Sequence, residues 1–378
     1  MRVFVIAGEA SGDKLGAALM QGLRQLRPDV AFDGVGGPRM QEQGLHSRFA
    51  MDELSVMGLT EILPKYRALK ARVRQMADAV LSTRPDVVIT IDAPEFNLRV
   101  AKLVKAASDI RTVHYVAPTV WAWRPKRAVK MARHIDQVLA LFPFEPPLMQ
   151  AAGMRCDFVG HPVVTDALAS RDKAAAWAGT SPLVLMLPGS RGSEVRRLMG
   201  RFGDVAGHVA RDHPNARFVI PTTPNVTGLV QELSADWPVA PQILAPDDHT
   251  SKRGVFAAAD VAVAASGTVS LELAANDTPM VIAYDMSPIS RIIIGRLLLV
   301  DTVTLVNLVS ETRAVPEFIG KACVANDIAA AVSKVLADPD TQRAAMSETM
   351  LRLGKKGDAP GLRAARAVLD GLAAGHPE

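Results

Sequence analysis

Residues 183–197 read LVLMLPGSRGSEVRR, and the architecture of the chain is built outward from this stretch. Leu183, Val184, Leu185, Met186 and Leu187 form an unbroken apolar run, the signature of a strand buried on both faces of a parallel sheet. Pro188 and Gly189 end it, and Ser190, Arg191, Gly192 and Ser193 follow as a small turn. Ser193 and Glu194 then open a helix that runs on through Val195 and Leu198. Strand, Gly/Ser loop and helix N-terminus in this order is how α/β proteins hold an anion. The loop amides and the positive end of the helix dipole face the ligand. Arg191 adds a charge suited to a phosphate oxygen. The plainer alternative is a simple turn with a solvated arginine, and spacing alone leaves both readings open. No Gly-Lys-Ser/Thr follows, so this is not a Walker loop, and it is not GxGxxG.

The same grammar opens the chain: a strand at 3–7, a Gly turn at 8–12 and an amphipathic helix at 13–26. Further strands are predicted at 31–35, 87–91, 112–116, 137–141 and 157–159, with helices at 65–81 and 95–107. After the restart at 183, strands are predicted near 218–221, 243–244, 261–265 and 280–284. The alternation argues an α/β protein of two Rossmann-like domains facing across a cleft, with C-terminal helices. Residues 167–181, short, polar and Ala-rich, are the expected linker. The expected division is therefore 1–170, 171–340 and a helical tail at 341–378.

At 378 residues the chain has room for two domains, and 22% charged with 49% hydrophobic residues describes a globular protein. A net charge of +4 and a pI near 9.1 favour anionic partners without choosing among phosphates, nucleic acid and an acidic membrane. Cys156 and Cys323 lie far apart and form no CxxC, which fits a reducing compartment and excludes a disulfide framework, though not a single bridge. Residues 2–8 read as a strand entering a Gly turn rather than as a secretory signal. No segment reaches the ~20 apolar residues of a membrane span, and the nearest candidate, 289–300, is interrupted by Arg291 and Arg296. A cytoplasmic protein is expected.

A second anion loop is expected at Ser266, Gly267 and Thr268, with Ser266 as N-cap of the helix that follows. Glu272 falls one turn on, in a helix apolar nearly all round, where a buried carboxylate needs hydrogen-bond donors. The two hydroxyls of a ribose would supply them; a solvated acid near a helix N-terminus is the alternative. Two such loops and a ribose acceptor suit a nucleoside diphosphate.

Asp92 ends the apolar run VVITI and begins Asp92-Ala93-Pro94-Glu95. That string has the form of N-cap, Pro and capping-box Glu, so Asp92 is either a helix cap or a general base. Asp13, after GEASG, presents the same choice. Trp121-Ala122-Trp123-Arg124 interleaves aromatic and basic residues, but without RNP motifs or a helix-turn-helix it does not argue nucleic acid. His161 reads as a turn histidine. Residues 56–63, VMGLTEIL, precede Lys65, Arg67, Lys70, Arg72 and Arg74, which suits either core packing or docking on an anionic bilayer.

Several of these strings together resemble the lipid-A-disaccharide synthases: FVIAGEASGD at 4–13, TIDAPEFN at 90–97, VWAWR at 120–124, FVGHP at 158–162, LPGSRGSE at 187–194 and SGT at 266–268. The resemblance runs from residue 3 to about 337 in the family's order. It implies a GT-B glycosyltransferase of Gram-negative bacteria, peripheral on the cytoplasmic face of the inner membrane. It further implies transfer of 2,3-diacylglucosamine from UDP-2,3-diacylglucosamine to 2,3-diacylglucosamine 1-phosphate (lipid X), with inversion, giving a β-1,6-linked disaccharide 1-phosphate and UDP. No cofactor, no metal and no nucleic acid are implied, and a homodimer is admitted.

By the same resemblance Asp92 is the catalytic carboxylate and Arg191 a diphosphate contact. Gly189, Ser190, Ser266, Gly267, Thr268 and Glu272 join the donor site, Asn307 and Glu317 mark further donor positions, and Ser11 and Asp13 are acceptor or cleft candidates. The turn Val269-Ser270-Leu271-Glu272 departs from the small residues the family commonly has there. Two other readings stand beside this one: a UDP-N-acetylglucosamine 2-epimerase of the same fold, and a non-catalytic membrane-docking protein that keeps a nucleotide site.

Overall fold

The apolar run at 183–187 is an interior strand of the second of two six-stranded sheets in the computed structural model. The structure describes residues 1–54, 59–286 and 298–374, without the side chains of 59–66. The chain divides into two units: Met1–Thr165 with Leu353–Glu378, and Asp166–Arg352.

In the first unit the strands are β1 (Arg2–Ala7), β2 (Ala31–Val35), β3 (Val87–Ile91), β4 (Arg111–Tyr115), β5 (Gln137–Ala140) and β6 (Arg155–Phe158). They pair in parallel in the order β2-β1-β3-β4-β5-β6. The second unit has β7 (Leu183–Leu187), β8 (Arg217–Pro221), β9 (Gln242–Leu244), β10 (Val261–Ala264), β11 (Met280–Tyr284) and β12 (Glu317–Ile319). Their order, β12-β11-β10-β7-β8-β9, is again parallel throughout. The three-residue edge strand β12 has no counterpart in the sequence reading, because a partly buried edge leaves no apolar run to recognise.

Both sheets reverse their direction of winding beside the first strand. β1 has β2 on one side and β3 on the other, and β7 has β8 on one side and β10 on the other. The loops after β1 and β3, and those after β7 and β10, therefore open at a switch point, where open α/β sheets bind ligands.

The helix Gly192–Asp212 shows how the second core is closed. Val195, Leu198, Met199, Phe202, Val205, Ala206 and Val209 recur at helical spacing, and all are fully buried against the sheet. Residues 167–181 are more than a linker. They carry the short helix Arg171–Ala175, and Trp177 packs close to Gly254 within the second unit.

The stretch 341–378, expected as one tail, is divided between the units. The helix Asp340–Arg352 stays with the second: Gln342 exchanges hydrogen bonds with the backbone of Met280 at 2.8 and 3.0 Å. The helix Pro360–Ala374 returns to the first, where Gln137 Nε2 donates to Ala367 O at 2.7 Å. It lies against the helix Ala10–Leu26 so closely that a Cβ on Gly361 would stand 2.4 Å from Ala18 O. Glycine alone permits that approach. Among the described residues no helix is long and apolar enough to cross a membrane. Of the two apolar stretches that the sequence offers a bilayer, residues 55–58 and 287–297 lie outside the described residues, as do the side chains of 59–66.

Candidate functional site

The loop after β7 is shaped by one glycine. Gly189 has φ +111°, and a Cβ there would stand 2.6 Å from Glu194 Oε2. The helix begins at Gly192, one residue before the sequence reading had it, with Arg191 as its extended N-cap residue. The Arg191 guanidinium lies 3.3 Å from Glu194 Oε1 and keeps 64% of its side-chain surface open.

Ser266 does not cap a helix as expected. Gly267 sits at φ +156°, outside helical geometry, and the helix starts at Val269 as expected, but with Thr268 rather than Ser266 as its N-cap residue. Where a Cβ on Gly267 would point there is open space.

Both loops border one cavity of about 430 Å³. Gly189, Ser190 and Arg191 come from the first loop, Ser266, Gly267 and Thr268 from the second, and Glu272 from the helix beyond. The volume is that of an ordinary small-molecule site. Glu272 is not in apolar surroundings: its side chain is 44% exposed, and Lys252 Nζ approaches its carboxylate at 3.8 Å. The helix turns this one polar face to the cavity, which its sequence average conceals. Thr222, Thr223, Lys252 and Phe256 also line the cavity and were missed. The turn after β8 was a signal for the threonines; nothing local marks Lys252.

Asn307 and Glu317 do not border the cavity. Asn307 is buried and exchanges bonds with Val315, Nδ2 donating to O at 2.9 Å and Oδ1 accepting from N at 3.0 Å. Glu317 Oε1 accepts the amides of Val303 and Thr304 at 3.0 and 2.6 Å. In this structure both brace the backbone of residues 303–315.

In the first unit Asp92 follows the last residue of β3, and its amide donates to Tyr115 O at 3.0 Å. Asp92 and Ala93 both have positive φ, +49° and +40°. The N-cap residue of the helix Pro94–Ala107 is Ala93, and no side chain caps it. The capping-box reading of Asp92 is thereby corrected. The left-handed pair puts Asp92 outside the helix, and Glu95 lies exposed against Arg127 at 3.0 Å. Burial pushes the Asp92 carboxyl above its ordinary value, partly opposed by the Ala93 amide. A base for a sugar hydroxyl gains from such a shift.

Asp13 does act as a cap, but for another helix. It is buried, and its two oxygens accept the amides of Arg39 and Met40, both at 3.0 Å, at the start of the helix Pro38–Glu42. Ser11 lies exposed in the first turn of Ala10–Leu26. A Cβ on Gly8 would stand 3.1 Å from Ala93 Cβ, so the turns after β1 and β3 touch. His161 is a turn histidine whose Nδ1 accepts the Val163 amide at 3.2 Å. Trp121 packs edge-on to Phe144 at 5.3 Å, and Arg124 lies over Trp123 at 4.2 Å.

The sequence model of the Lipid-A-disaccharide synthetase family matches residues 3–363. A lipid-A-disaccharide synthase of Ruegeria pomeroyi is 59% identical, over 98% of this chain and 96% of that protein. Among solved structures, the calicheamicin glycosyltransferase CalG4 superposes with a TM-score of 0.63 at 16% identity, covering 100% of this chain and 99% of its own. The UDP-GlcNAc 2-epimerase of Neisseria meningitidis, bound to UDP-GlcNAc, gives 0.63 at 12% identity, covering 99% and 100%. At such identities the last two show the fold alone, an α/β fold of two Rossmann-like units of the GT-B type. The family match over nearly the whole chain goes further: this chain belongs to the lipid-A-disaccharide synthase family.

Proposed function

We propose that the chain transfers 2,3-diacylglucosamine from UDP-2,3-diacylglucosamine to the 6-hydroxyl of 2,3-diacylglucosamine 1-phosphate, forming the β-1,6-linked disaccharide 1-phosphate and UDP. The observation that carries this beyond family membership is the cavity after β7 and β10, where two glycine loops, Arg191 and Glu272 meet. The loops receive the diphosphate and Glu272 accepts from the ribose hydroxyls. Asp92, at the carboxyl end of β3, takes the proton of the acceptor hydroxyl as its oxygen attacks C1. The C1–O bond to UDP breaks on the opposite face, so the configuration inverts. Negative charge grows on the departing diphosphate, and loop amides with Arg191 stabilise it where it develops.

Lipid substrates and the basic charge of the chain support peripheral attachment at the cytoplasmic face of the inner membrane. The decisive assay mixes the two substrates with the protein. Equal amounts of UDP and disaccharide phosphate, formed only when both substrates are present, are expected. A donor epimer or free UDP made without acceptor would assign epimerase-type chemistry instead. No turnover beside intact UDP binding would leave a nucleotide-binding scaffold.

A further inference from the structure

Three successive carbonyls of the turn after β3 end on one side chain and its own amide. Asn97, in the helix Pro94–Ala107, has no exposed surface. Its Nδ2 donates to Ile91 O at 3.0 Å and to Asp92 O at 2.8 Å. Its backbone amide donates to Ala93 O at 3.0 Å. The two side-chain bonds grip the peptide carbonyls on either side of the Asp92 Cα. Asp92 between them and Ala93 just after it both take the positive φ that residues with a Cβ avoid, +49° and +40°, and the Ala93 carbonyl is the one the Asn97 amide holds. Such a pair persists only where the surroundings over-determine it.

Asn97 Oδ1 is buried and has no hydrogen-bond partner among the described residues. An orphaned buried acceptor is costly, so an apolar residue would suit a purely packing role better. What the amide offers at this position is its two N–H donors. Leucine has none, aspartate would set oxygens against the two carbonyls, and glutamine is one methylene too long for the same grip.

We propose that Asn97 is a positioning residue for Asp92: its amide clamps the flanking carbonyls and so holds the left-handed turn that aims the Asp92 carboxylate. Asn97 touches no reacting atom, and the inference rests on Asp92 being the general base.

The test uses the full chain with both lipid substrates, measuring kcat, KM for donor and thermal unfolding. Asn97→Ala should lower kcat by roughly 10²-fold, the scale expected when a reacting group moves by about 1 Å, with KM for donor nearly unchanged. Ala93→Gly introduced beside it should restore part of kcat, because glycine takes positive φ without the clamp. In an Asp92→Asn background, Asn97→Ala should cost little more. If Asn97→Ala fails to fold, Asn97→Ser takes its place.

Wild-type kcat in a folded Asn97 variant overturns the clamp and leaves Asp92 as base. A further 10²-fold loss in the Asp92→Asn background, or a kcat loss that Ala93→Gly does not relieve, also overturns it. Wild-type kcat in Asp92→Asn alone removes the base and the clamp together.

Discussion

Arg191 Nη1 lies 3.3 Å from Glu194 Oε1, three residues on in the same first helical turn. The other oxygen of that carboxylate lies over Gly189, where a Cβ would stand 2.6 Å from it. An ion pair this exposed adds little to stability, about 0–1 kcal/mol. On the proposed function, it holds Arg191 beside the cavity where a diphosphate would bind.

Arg191→Ala should therefore weaken UDP binding by roughly 1.5–3 kcal/mol, the scale of a charge-assisted hydrogen bond, while the melting temperature hardly moves. Glu272→Gln should weaken it as well. Calorimetric titration with UDP gives the answer, and unchanged affinity in both variants would retire this cavity as the donor site.

Asp92→Asn separates base from structure. The Asp92 side chain caps no helix, so thermal unfolding should be nearly unaltered, whereas turnover at saturating substrates should fall by roughly 10²–10⁴-fold. A base works ionised, and burial raises this carboxyl above the ordinary 3.8. The acid limb of kcat in the wild type should accordingly lie above that value, with activity lost as pH falls through it. Near-normal turnover in a folded Asp92→Asn protein would remove Asp92 from the mechanism.

Glu145 supplies a pH dependence of stability rather than of catalysis. It is 2% exposed, and Oε2 accepts the amides of Leu141 and Phe142 at 3.1 and 3.0 Å. Burial pushes its carboxyl from 4.5 up to about 8, against the opposing pull of those amides. Below 4.5 it is protonated folded and unfolded alike; between 4.5 and about 8 the unfolded chain ionises while the folded one stays neutral. This residue's contribution therefore favours folding at low pH and is lost as pH rises through that window, by up to about 1.4 kcal/mol per pH unit. Denaturant midpoints across the window should drift less in Glu145→Gln. An identical drift in both proteins would rule the residue out.

Membrane attachment through residues 56–63 and the basic residues after them is expected from sequence, and it should be salt-sensitive. The Debye length shrinks from about 10 Å at 0.1 M to about 3 Å at 1 M, which screens Lys and Arg from anionic headgroups. Co-sedimentation with anionic vesicles should fall with salt and with Leu59→Asp plus Leu63→Asp. Binding that ignores both would place the contact elsewhere.

The chain's local periodicities settled its strands and loops. The strands at 87–91, 183–187 and 280–284 have the bounds their apolar runs predict, because a strand buried on both faces must be apolar at nearly every position. The glycines at 189 and 267 mark turns that only their backbone freedom allows. The motif strings carried the family. Most of what stayed hidden depended on residues far apart in sequence. The cavity exists because β10 pairs with β7 across a sequence separation of 77, as Val261 sits beside Val184 in the ladder. Lys252 reaches Glu272 only through that packing. Asp92 has the local form of a cap, yet the Asn97 clamp and the bond to Tyr115 O hold it in a left-handed turn instead. Local propensity sets an element's type at a cost of about 1 kcal/mol or less per residue. Buried hydrogen bonds and close glycine contacts outweigh that, and they are specified only once the sheets have formed.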